Sequence, residues 1–68
     1  MNMNIRNIIE HVFVDTTLCI EIGVEENNTY HTEEVYNGTA ANVPREWYDK
    51  EIFLIIPKEN GVMKIITR

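Results

Sequence analysis

The chain has 68 residues and a mass of 8.0 kDa, with 11 acidic and 6 basic residues giving a net charge of −5. A domain this small buries a modest share of its surface and normally leans on a staple, a metal or a partner chain, yet Cys19 is the only cysteine, which excludes an internal disulfide and fits a reducing compartment. No run reaches the roughly 20 apolar residues of a membrane span, and residues 1–6 have neither the apolar core nor the small-residue cleavage site of a signal peptide, so a single cytoplasmic domain over residues 1–68 is expected.

Residues 1–7 show no alternation and read as a frayed polar end. Residues 8–14 are rich in β-branched side chains, and their ending is read as a strand, with a helical turn over residues 6–10 as the alternative. Asp15-Thr16-Thr17 then reads as a tight turn, after which Leu18, Ile20 and Ile22 alternate with Cys19, Glu21 and Gly23 as a half-buried strand. These two strands are expected to form a hairpin. Glu25-Glu26-Asn27-Asn28 is a break whose asparagines tolerate left-handed geometry. Residues 29–36 follow as a weakly amphipathic strand of the kind found at a sheet edge.

The central stretch runs from Asn37 to Ile56. Asn37-Gly38 is the dipeptide that most readily reverses a chain, so a turn is expected there, followed by a small extended segment from Thr39 to Val43. Pro44 restricts the residue before it to β geometry and supplies the fixed φ of a helical start, which predicts one helical turn over residues 44–48. The five apolar residues 52–56 suit a strand covered on both faces. A chain of this length has little with which to cover both, so a second copy of the chain is expected to contribute. Pro57 to Gly61 holds a second Asn-Gly, and residues 62–66 return as the last strand of a hairpin.

The sequence Val43-Pro44-Arg45-Glu46-Trp47, a short link, an apolar strand, a Gly-containing turn and a last strand resemble the swapped-hairpin family of AbrB-like and MazE-like DNA-binding domains. The nearest pattern is that of short archaeal transposon-encoded proteins, in which a Gly-Asn-Ser-Ala segment leads into Val-Pro-Lys-Glu-Trp and a Gly-Lys link. The resemblance covers about residues 33–68. Asn37 falls on the family's Asn, whereas Tyr36 and Gly38 replace its neighbours and Asp49 stands where the link carries Gly. The resemblance implies a mostly β fold, a small swapped-hairpin-like barrel with one short helical turn, in which two chains interleave. It also implies a dimeric, non-catalytic DNA-binding regulator or antitoxin-like component. The surface it would use is Asn37, Gly38 and Thr39 with Arg45 and Lys50, where backbone N–H groups and two cations reach phosphates. The plainer reading makes Asn37-Gly38 a hairpin turn and the two cations solvated surface.

Charge placement argues against duplex DNA. Residues 1–34 hold one base, Arg6, against seven acids, a net of −6; residues 35–68 hold five bases and four acids, a net of +1. Where family members place Lys and Arg on the strand before the loop, this chain has Glu33 and Glu34. The alternative is therefore an acidic protein-interaction module that occupies a basic surface on another protein.

Other chemistry has thinner support. His11, Cys19 and His31 match no zinc spacing and are read as packing or surface, so neither a metal nor another cofactor is expected. Nothing in the sequence brings a histidine to Cys19 as a base, and a small buried thiol is the plainer account. Glu25-Glu26 and Glu33-Glu34 point to opposite faces of a strand and read as solvated charges. Trp47 is expected in the core rather than stacked on a nucleobase.

Overall fold

The computed structural model describes residues 3–68. It is mostly β, with one short helix α1 (Ile5–Ile9) and strands β1 (Thr17–Glu26), β2 (Thr29–Thr39), β3 (Ile52–Pro57) and β4 (Met63–Thr67). Three 3-10 turns, Ala40–Asn42, Arg45–Trp47 and Glu59–Gly61, fill the connections. The strands form one mixed sheet in the order β2-β1-β4-β3. β1 and β4 run parallel at its centre, with Leu18 opposite Met63 and Ile20 opposite Ile65; the two outer pairs are antiparallel. The sheet is open within the chain, with β2 and β3 as its edges, so the expected barrel does not close here.

The core lies on one face of the sheet. Leu18, Ile20 and Ile65 are fully buried there, and Ile5, Ile8, Ala40 and Val43 cover them. Thr67 is buried among them, and its hydroxyl donates to the Glu21 carbonyl at 3.2 Å, which removes the cost of an unpaired buried donor. Trp47 packs against this cluster from its margin and is only half-buried.

The N-terminus departs most from expectation. Residues 4–7, read as part of a frayed end, form the capped start of α1, while Met1 and Asn2 lie outside the described residues. Asn4 and Asn7 make a reciprocal capping box at 2.9 and 3.1 Å, and this satisfies two N–H groups that a helix start leaves open. Ile5 and Ile8, three positions apart and so on one side of the helix, both reach the core. The strand expected at the end of residues 8–14 is absent: helix, cap and turn occupy that region, closer to the helical alternative, and no hairpin joins it to β1. Burial of two isoleucines and the cap outweigh the β preference of the individual side chains.

Turn positions also differ. Among the described residues, positive φ occurs at Asn27, Asn28, Asn60 and Gly61. Asn27-Asn28 therefore reverses the chain between β1 and β2, and Asn60-Gly61 does so between β3 and β4, both where turns were expected. Asn37-Gly38 does not turn. Those residues continue β2, opposite Cys19 and Leu18, because the ladder with β1 extends to Thr39 and uses them as strand. Thr39 to Val43 is likewise not extended throughout; Ala40 and Ala41 donate to the Thr16 and Val14 carbonyls and the chain then coils as a 3-10 turn. The turn after Pro44 forms as Arg45–Trp47.

Within the chain the apolar run is an edge strand, not covered on both faces by the chain's own residues. Phe53 is bulged out of register between Ile52 and Leu54, and it and Leu54 remain 57% and 47% exposed.

Candidate functional site

Two features of the sheet stand out, its uncovered edge and its polar face. In an antiparallel ladder, opposed residues share a face, so Cys19, Glu21, Gly23 and Glu25 lie on the face away from the core together with Asn37, Glu34, Thr32 and Tyr30 of β2. Lys64 and Ile66 of β4 join them from the other side.

A hydrogen-bonded network fixes the middle of that face. Glu21 accepts from the Thr32 hydroxyl at 2.6 Å and pairs with Lys64 Nζ at 3.0 Å. The Thr32 bond, then Lys64, hold the Glu21 carboxyl below the usual carboxylate range. Cys19 donates to Glu34 Oε1 at 2.9 Å, and Asn37 Nδ2 reaches the same oxygen at 3.4 Å. Burial, with Glu34 and Glu21 nearby, pushes the Cys19 thiol up to about 11. A thiol held protonated in this way is a poor nucleophile. Asn7, through its carbonyl, accounts for His11, and Glu33 for His31; among the described residues no group of three or more His, Cys, Asp or Glu is placed to hold a metal ion.

The two edges differ. At β3, Met3 accepts from the Ile52 N–H at 2.7 Å, Asn4 bridges Glu51, and Pro57 has no N–H to offer. Bulged Phe53 interrupts what is left. Along β2, no backbone bond from another element reaches the outer edge among the described residues. The edge of this eleven-residue strand is therefore open, with alternate residues turning their N–H and C=O outward on either side of a bulge at Val35. Glu25 and Glu26 at the hairpin end, with Glu33 and Glu34 along the strand, are all exposed.

Beside that edge an open cleft of about 480 Å³ is lined by Gly23, Glu25, Tyr30, Phe53 and Arg68. Tyr30 lies across Gly23 so closely that a Cβ there would collide with the Tyr30 oxygen. Gly23 is thus what lets the ring lie on the sheet. On the opposite side of the cleft the Arg68 guanidinium sits 5.2 Å from the Phe53 ring centre and pairs with Glu51 at 3.5 Å.

The residues that the family resemblance suggested for phosphate binding lie on separate elements. Asn37, Gly38 and Thr39 are the last three residues of β2, not a loop. Asn37 is spent on Glu34, Gly38 is backed by the Tyr36 ring, and Thr39 accepts from Tyr36 and Asn42. Arg45 is exposed on the 3-10 turn, while half-buried Lys50 stands 5.9 Å from the Trp47 ring centre. No hydrogen bond joins either cation to the Asn37–Thr39 segment among the described residues. The cleft was missed from sequence, although a glycine inside an alternating strand is a signal of close approach.

No protein family matches the chain, and no curated protein or solved structure matches it significantly.

Proposed function

We propose that this chain is a non-catalytic protein-interaction module that takes up an extended basic segment of another protein along the outer edge of β2. The observation that carries the reading is the open eleven-residue edge flanked by Glu25, Glu26, Glu33 and Glu34. Main-chain bonds to an added strand supply affinity without regard to sequence, and alternate side chains supply selection. The carboxylates repel a second β2 edge and attract lysine or arginine, so the charge that guards the edge against self-pairing also selects its partner.

The same charges weigh against duplex DNA. Three of the six cations are in ion pairs, Arg6 with Asp49, Lys64 with Glu21 and Arg68 with Glu51. A regulator of the AbrB-like kind is the second reading, favoured by the 3-10 turn after Pro44, with Arg45 exposed on it. Fluorescence titration with a labelled peptide alternating lysine and valine tests the first reading, and labelled duplex DNA tests the second. The peptide is expected to bind with an affinity that falls as salt is added, and the Glu26→Gln, Glu33→Gln double variant to bind it roughly five-fold more weakly. Tight DNA binding abolished by Arg45→Ala in a folded protein would replace the module by the regulator.

A further inference from the structure

We propose that the cleft over Gly23 is the anchor for a single lysine or arginine side chain of the segment bound at β2, an inference that rests on the edge reading above. Tyr30 belongs to β2 itself, so a strand added there brings its side chains to the rim of the cleft. From that strand to Gly23 on β1 is two strand spacings, about 9.5 Å. Lysine and arginine have the longest side chains with which to reach along the Tyr30 ring toward that point, and they lay their apolar stems on such surfaces while the charged head stays polar.

The charge at the far end fits a cation. Arg68 and Glu51 neutralise one another in their ion pair, whereas Glu25, exposed on the rim, has no ion pair among the described residues. The cleft therefore offers one uncompensated carboxylate beside the exposed Tyr30 ring, whose face attracts a cation. Arg68 on Phe53 shows the same geometry already made within the chain. A neutral aliphatic side chain would fill the apolar walls and leave Glu25 unanswered; an anionic one would meet it directly.

Two probes separate the anchor from the edge. Butylguanidinium chloride, titrated into the labelled protein at constant ionic strength and followed by amide chemical shifts, is expected to move Gly23, Glu25 and Tyr30 saturably. Replacing Glu25 by Gln is expected to weaken that response roughly three- to five-fold, the scale of one exposed charge contact, the Tyr30 ring being left in place. The lysine–valine peptide is expected to shift the β2 amides and those three together. Absence of a saturable butylguanidinium response at the cleft overturns the anchor. So does a peptide that shifts β2 but leaves Gly23 unmoved, and in that case the edge reading stands. A cleft that answers butylguanidinium while the peptide leaves β2 unchanged overturns the edge reading and the anchor's role in it.

Discussion

Ile5 shows how much a single side chain can determine in a protein of this size. It is fully buried, its N–H donates to the Lys50 carbonyl at 3.1 Å, and it joins α1 to the segment that enters β3. Truncation leaves a cavity that a five-residue helix cannot collapse into without losing its cap. Ile5→Ala is expected to cost about 3 kcal/mol, within the usual range for a buried isoleucine, and a loss of unfolding free energy in urea smaller than a third of that would place the helix outside the core. Glu21 makes a different contribution. Its folded pKa is held below that of the unfolded chain, so its stabilisation is complete above about pH 4.3, the ordinary glutamate value, and is lost as the pH falls through the folded value. Glu21→Gln should therefore cost about 1 kcal/mol at pH 7 and less at pH 2, with a correspondingly flatter acid limb. Equal losses at both pH values would mean that packing, not charge, holds that position.

At the level of elements, the β1–β2 hairpin depends on two residues in left-handed geometry. Asn27 and Asn28 have φ of 51° and 65°, and a left-handed alanine costs roughly 1–2 kcal/mol more than the right-handed form. Replacing both by alanine is expected to lower stability by about 2 kcal/mol, and Asn28→Gly to preserve or raise it; thermal melts of the two variants decide this. This turn was legible in the sequence because its chemistry is local, as were the Pro44 turn, the alternation of β1 and the Asn60-Gly61 reversal. Asn37-Gly38 carries the same local signal yet lies flat in β2, since the ladder opposite Leu18 and Cys19 offers more bonds than a turn would. The N-terminal helix was hidden for a related reason. Its cap is Asn with Asn rather than the commoner Ser or Thr with Glu, and the burial that sustains it comes from Leu18, Ile20 and Ile65, residues distant in sequence. Nothing within residues 17–26 announces the cleft except Gly23, whose partner Tyr30 lies across the hairpin.

For the whole molecule, the two sheet edges predict opposite responses to salt. The homodimer expected from the apolar run would have to use the β3 side, where Phe53 and Leu54 are exposed but Met3 and Pro57 leave a short edge to pair. Two copies also carry −5 each. Their repulsion acts over the screening length, about 10 Å at 0.1 M salt and about 3 Å at 1 M, so added salt should strengthen self-association through that apolar end. Binding of the lysine–valine peptide to the acidic β2 side must weaken over the same range, because there the long-range charge term is attractive. Sedimentation of the chain alone at low and high salt, beside peptide titrations in the same buffers, measures both signs. The expected pattern is a mass near 8.0 kDa at low salt, a rising average mass at high salt and a falling peptide affinity. If self-association and peptide binding instead weaken together as salt rises, both use charge at one surface, and assigning self-pairing to β3 and the partner to β2 fails.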